Sequence, residues 1–155
     1  MRVLAYDPVT DEKYAAENQI RYVPLRELLQ ESDFLSLHLP LTDSTRNLIG
    51  SEELALMKHT ARIINSARGG IISEKALYQA LKDGRLAGAA LDVFEQEPTP
   101  KDNPLLSLPN IIFTPHMAGS SFEGLDSITG AAARNVLEYI EGKQPHGLRN
   151  PEFMK

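Results

Sequence analysis

The chain has 155 residues, of which 42% are apolar and 24% charged, and its formal net charge is −5. That length suits one domain with a real core, and the acidic balance gives no electrostatic footprint for nucleic acid. Disulfides, thiol catalysis and cysteine-ligated metal are excluded because the chain has no cysteine; no apolar run spans a bilayer and no signal-peptide pattern opens the sequence, so a cytosolic location without a membrane partner is expected.

In chain order, "RVLAYDP" (Arg2 to Pro8) predicts a short apolar strand that closes on an acid and a proline, followed by a helix from about Asp11 to Asn18. "IRYVP" (Ile20 to Pro24) predicts a very short strand, "LRELLQES" (Leu25 to Ser32) a helix, and "DFLSLHL" (Asp33 to Leu39) a further strand. The polar loop "LPLTDSTRNLIG" leads to a helix over Ser51 to Lys58, with Ser51 as its expected N-cap. "ARIINSA" is the next strand. A glycine turn then opens a helix capped by Ser73, with Ala76, Leu77, Ala80 and Leu81 on one apolar face. "LAGAALDVF" predicts a buried strand of small residues, a proline-rich loop follows, and "NIIFTP" is the last strand. A long helix over about Phe122 to Glu141 closes the pattern, with Gly142 as its stop.

Strands that alternate with helices through short loops predict an α/β fold: a parallel sheet with helices on both faces. In such sheets ligands gather at the carboxyl ends of the strands, so residues just after a strand are the candidates. Asp7 is the first. An acid there can accept hydrogen bonds from a ribose, or it can be a turn aspartate before Pro8. Arg68, followed by Gly69 and Gly70, offers a planar fork that fits a carboxylate, with glycines that let backbone come close; the bland reading is an exposed loop arginine.

Asp92, among small apolar residues, needs a donor or caps a neighbouring turn, and Glu97 and Glu95 are either site acids or loop chemistry. His116 in "TPHMAG" is either a turn histidine or a proton donor, and a carboxylate beside the ring would favour its imidazolium form. His38 sits at another strand end and could line the same cleft, whereas His59 and His146 read as surface residues. Arg68, Glu97 and His116 together make a coherent set: a carboxylate holder, a charge partner and a proton carrier. No HExxH, DxDxDG or GxSxG pattern competes, so no metal is expected.

"LHLPLTDSTRNLIG", "INSARGGIISEKAL", "LAGAALDVFEQEP" and "TPHMAG" together resemble, in order, the signatures of the D-isomer-specific 2-hydroxyacid dehydrogenases. The resemblance runs from "VLAYDP" to "LRNPE" and implies a Rossmann-like fold and NAD-dependent hydride transfer at C2 of a 2-oxo or 2-hydroxy acid. It implies Arg68, Glu97 and His116 as catalytic residues. It implies Asp7, Pro40, Thr45, Ser66, Ala67, Arg68, Asp92, His116, Met117, Ala118 and Gly119 as cofactor contacts. No basic residue directly follows Asp7, which favours NAD over NADP. Family members commonly dimerise through the cofactor domain, so a homo-oligomer is expected, with an exposed sheet edge as one route.

The glycine fingerprint G-x-G-x-x-G is missing from the chain. The resemblance therefore implies a partial cofactor domain over 1–142, lacking its first βα unit, and a tail over 143–155 directed to a substrate domain. As an isolated piece the chain is expected to be inactive. Two other readings stand beside the enzyme: an NAD(H)-sensing binding protein, as in the family's co-repressor branch, and an interaction module.

Overall fold

A computed structural model describes residues 1–150 and 152. Six strands and five α-helices follow one another as β1 (Val3–Ala5), α1 (Glu12–Asn18), β2 (Ile20–Tyr22), α2 (Leu25–Glu31), β3 (Phe34–Leu37), α3 (Ser51–Leu56), β4 (Arg62–Asn65), α4 (Glu74–Lys82), β5 (Gly88–Leu91), β6 (Ile111–Phe113) and α5 (Phe122–Ile140). A 3-10 turn over Pro104–Ser107 sits inside the proline-rich loop, opened by Asn103, whose side chain accepts the Leu105 N–H. Contacts divide the chain into one unit over Met1–His116 and a second over Met117–Lys155.

All strand pairs in the first unit are parallel, but the strands form two sheets, β1-β2 and β3-β4-β5-β6. Among the described residues, β1 and β3 each carry a ladder on one side only. Parallel strands of this length depend on side-chain burial as much as on their ladders. In the larger sheet Leu35 and Leu37 of β3, Ile63 of β4 and Leu91 of β5 are buried, together with Leu54 of α3 and Leu77 and Leu81 of α4. Phe34 on the alternate face of β3 is 64% exposed. β1 and β2 contribute little to this core.

The strands are shorter than the apolar runs that announce them, because ladder pairing stops where the chain turns towards the loops. Tyr6, Asp7 and Pro8 lie beyond β1, and Asp92 and His116 lie beyond β5 and β6. One cap differs from expectation. Ser51 is the first residue inside α3, and Gly50 is the N-cap, its N–H donated to Glu53 Oε2 at 3.0 Å. Glu53 reaches back to the cap from three residues ahead, so the helix opens without a capping hydroxyl.

Ser73 does cap α4, accepting the Ala76 N–H at 3.4 Å. The other end of α4 is a Schellman stop, with Gly84 at φ +66°, its N–H on Leu81 and the Arg85 N–H on Ala80.

The second unit consists of α5, capped by Ser121 on the Gly124 N–H, and its tail. Gly142 ends α5 in the same Schellman manner, through Gly142 to Tyr139 and Lys143 to Glu138. Of the tail over 143–155, residues 151 and 153–155 fall outside the described residues.

Leu77 is fully buried at the centre of the core face of α4. Leu77→Ala should lower stability by about 2–5 kcal/mol, read as a lower urea midpoint at unchanged slope.

Candidate active site

Four chain segments at the carboxyl ends of the larger sheet bring the candidate residues together. After β3 the chain passes His38, Leu39 and Pro40. These line a cleft of about 370 Å³ with Ala67 and Arg68, which follow β4. His38 thus shares Arg68's cleft, with its Nε2 2.8 Å from Ser36 Oγ. The loop after β3 is fastened to the segment after Arg68 by backbone bonds from Asn47 to Gly70, Ile49 to Ile71 and Ser73 to Ile49. Thr45 knots that loop internally, donating its hydroxyl to the Pro40 carbonyl at 2.7 Å and accepting the Thr42 N–H at 2.7 Å.

Arg68 depends on a residue that sequence reasoning passed over. Asn65, the last residue of β4, is 3% exposed. Its Nδ2 donates to the Arg68 carbonyl at 2.9 Å, and its Oδ1 accepts the Ala67 N–H at 3.0 Å. A buried amide with both ends bonded closes the turn over Ser66 and Ala67 and fixes where Arg68 leaves it. The signal was an asparagine at the end of an apolar strand, where only a bonded polar group is tolerated. The Arg68 guanidinium itself is exposed and rests on the Ala67 carbonyl at 2.6 Å.

The next residue, Gly69, passes directly over the backbone that follows β5. A Cβ at Gly69 would lie 1.8 Å from the Phe94 carbonyl oxygen and 2.8 Å from the Glu95 nitrogen. No side chain fits at that separation, so glycine here allows two loops to touch backbone to backbone.

Beyond β5, Asp92 is buried at 6% exposure. Its carboxylate accepts the Thr114 hydroxyl, its N–H is donated to Asn65 and its carbonyl accepts the His116 N–H at 2.8 Å. Asp92 therefore joins the ends of β4, β5 and β6. His116 has φ +52°, a left-handed backbone uncommon outside glycine but commoner for histidine than for most residues. Such conformations persist where surrounding bonds fix them and cluster at functional sites.

The His116 Nδ1 lies 2.7 Å from Glu97 Oε2, and the other Glu97 oxygen accepts the Phe94 N–H at 3.0 Å. The hydrogen bond from the His116 ring first, and that from the Phe94 N–H second, hold the Glu97 carboxyl below its usual range. With Nδ1 engaged, Nε2 is the ring atom left to exchange a proton with a ligand. Glu95 takes no part in this pair and instead faces Glu74. His59 and His146 are both exposed.

Asp7, beyond β1, is exposed and accepts the Val9 N–H at 2.8 Å through Oδ1. Ser66 is exposed on the turn that Asn65 closes. Met117, Ala118 and Gly119 belong to the second unit, where the Ser120 N–H on the Met117 carbonyl closes a turn ahead of α5.

Motif order, parallel topology and the paired histidine agree with one family model, described as D-isomer specific 2-hydroxyacid dehydrogenase, NAD binding domain, which matches residues 1–118. The chain belongs to that family. The glyoxylate reductase of Korarchaeum cryptofilum is 48% identical over 155 residues, all of this chain and 47% of its own length. The D-3-phosphoglycerate dehydrogenase of Methanocaldococcus jannaschii is 45% identical over 151 residues, 97% of this chain and 29% of its own length. Among solved structures, the D-isomer specific 2-hydroxyacid dehydrogenase of Lactobacillus delbrueckii ssp. bulgaricus in its NAD complexed form has a TM-score of 0.86 at 31% identity, covering 96% of this chain and 49% of that one. The chain thus spans less than half the length of these family members.

NAD is the cofactor of this family's domain, and the residues present suit part of it. An exposed carboxylate at the end of β1 matches a ribose diol, and the cleft beside Pro40 and Ala67 has an apolar wall for a ring. No helix of the described residues is long and apolar enough to cross a membrane.

Two outcomes test this geometry. Gly69→Ala should separate the two loops and displace Arg68 and Phe94 together, seen as amide shift changes in both segments by NMR. The second concerns acid. Because the Glu97 carboxyl is depressed in the folded chain, its pairing stabilises the fold above the ordinary glutamate range, about 4.3. That contribution is lost as pH falls through the lower folded value. His116→Ala should raise the Glu97 midpoint, followed by carboxyl ¹³C shifts.

Proposed function

We propose that the protein carrying this chain reduces a 2-oxo acid to the corresponding D-2-hydroxy acid with NADH, and runs the reverse reaction with NAD. The supporting observation is the Glu97–His116 pair at 2.7 Å, facing the same end of the sheet as Arg68. In this reading residues 1–142 are part of the NAD-binding domain and 143–155 a tail towards a substrate domain. Asp7 binds the adenosine ribose, Pro40, Thr45, Ser66 and Ala67 flank the cofactor, and Asp92 with Met117 to Gly119 contacts its nicotinamide end.

When bound, NAD supplies or accepts the hydride. Arg68 supplies the substrate grip: its guanidinium exchanges the Ala67 carbonyl for a substrate carboxylate and polarises the neighbouring carbonyl. His116 Nε2 donates a proton to the substrate oxygen as the carbonyl becomes an alcohol, and removes it in reverse. Glu97 holds the ring through Nδ1, fixes its tautomer and stabilises the positive charge it carries while loaded with the proton. Both proton and hydride then arrive at one C=O bond held by one arginine.

Homologues at this level of identity act on different acids, as their names state, so the substrate class here is the 2-oxo acid with a free carboxylate. The test is oxidation of NADH in the presence of glyoxylate, hydroxypyruvate or pyruvate by the protein that carries this chain. His116→Ala should lower kcat by about 10²–10⁴-fold, and Arg68→Ala should raise KM as well as lower kcat. NAD(H) binding without oxidation by any 2-oxo acid would overturn the reading in favour of a sensor.

A further inference from the structure

Glu74 and Glu95 trade backbone hydrogen bonds across 21 residues. Glu95 Oε1 accepts the Glu74 N–H at 2.9 Å, and Glu74 Oε1 accepts the Glu95 N–H at 2.5 Å. The second Glu74 oxygen accepts Asn103 Nδ2 at 2.8 Å. Asn103 is itself held by the 3-10 turn, its Oδ1 on the Leu105 N–H, and Leu105 is fully buried. Two acidic side chains thus share three N–H donors, so the tie is made of charge-assisted bonds, with Glu74 and Asn103 half-buried and Glu95 exposed.

Its position gives it meaning. Glu74 is the first residue of α4, a helix anchored in the core by Leu77 and Leu81. Glu95 follows Phe94, whose N–H is donated to Glu97 and whose carbonyl lies against Gly69. The Phe94–Glu95 backbone therefore meets three constraints within two residues: Glu97 on one N–H, Glu74 on the next, and the Arg68–Gly69 turn against the peptide between them. Phe94 adds a side-chain anchor, its ring edge-on to Phe113 of β6 at 6.5 Å. Of these, the Glu74 tie is the one that connects the loop to α4.

We propose that Glu74 is a positioning residue, which, with Glu95 and Asn103, clasps the loop after β5 to α4 and so sets Glu97 against His116 and Arg68 beside them. It touches neither substrate nor cofactor. Its catalytic meaning rests on the roles proposed for Glu97 and His116, whereas its geometric claim does not.

The test follows the Glu97 carboxyl by ¹³C NMR through an acid titration of the 155-residue chain, with amide hydrogen exchange at Glu95. In Glu74→Ala, the Glu95 amide should exchange about tenfold faster, as expected for loss of one such bond. The Glu97 midpoint should rise towards the ordinary glutamate range, because the loop no longer presents Glu97 to the Phe94 N–H and the His116 ring. Glu74→Gln keeps an oxygen for the Glu95 N–H and should return most of the midpoint. A folded Glu74→Ala chain with faster Glu95 exchange and an unmoved Glu97 midpoint would mean the tie is merely structural, and overturns the proposal. If Glu74→Ala does not fold, Asn103→Ala decides by the same readout, since it removes the donor on the second Glu74 oxygen, together with the cap on the Leu105 N–H, while leaving Glu74 and Glu95 in place. A raised midpoint there supports the clasp and an unmoved one sinks it. Failure of 2-oxo acid reduction would leave all these readouts intact and count against the enzymatic reading alone.

Discussion

The site depends on one contact in which side chains play no part: the backbone of Gly69 lying against the peptide between Phe94 and Glu95. Parallel strands deliver their following loops to the same edge of a sheet, about 4.8 Å apart. Loops carrying ordinary side chains would hold each other further off. Removing one Cβ at Gly69 lets the turn after β4 and the loop after β5 share a van der Waals surface. Arg68 on the first and Glu97 on the second then belong to one rigid arrangement. The neighbouring Gly70, at φ +81°, turns the chain away again towards α4.

Around that contact the polar groups are ordered by burial. Asn65 and Asp92, both buried, bond mainly to backbone and fasten the ends of β4, β5 and β6 to one another. Glu97 and His116, exposed, bond to each other, with side-chain exposures of 37% and 50%. The interior amide and acid tie the strand ends together, and the outer pair leaves the His116 Nε2 outside its ion pair. An exposed pair of this kind adds little to stability, so its geometry has to be imposed by the backbone, and the left-handed His116 is where that imposition is visible.

Much of this was legible in the chain. A glutamate, an arginine and a histidine each following a different predicted strand implied convergence, because the parallel rule places strand ends together without any knowledge of packing. The cap at Ser73 and the stop at Gly142 were readable for the same reason: they are local. What escaped depends on pairs distant in sequence. Asn65 matters through its two bonds to the turn, which the sequence alone does not display. Glu74 is an acid in the first turn of a helix, which suits the dipole and needs no partner. Its partner, 21 residues on, resembled a loop acid next to the one that mattered. Ser51 misled because a serine before a helical run is a good cap only when the preceding residue is not a better one. Gly50 with Glu53 proved better. Strand lengths were over-read because apolar character continues past the last ladder bond.

The division of the strands into two sheets also divides the candidate site. Asp7 stands on a ladder of three residue pairs, β1 with β2, joined to α2 by the exposed ion pair of Arg2 and Glu31. Arg68, Glu97 and His116 stand on four strands backed by the main core. Local opening draws on the elements with the fewest buried contacts. The Asp7 end of the candidate site therefore opens first and the end with Arg68, Glu97 and His116 last, so the two ends are lost in sequence rather than together as the fold is stressed.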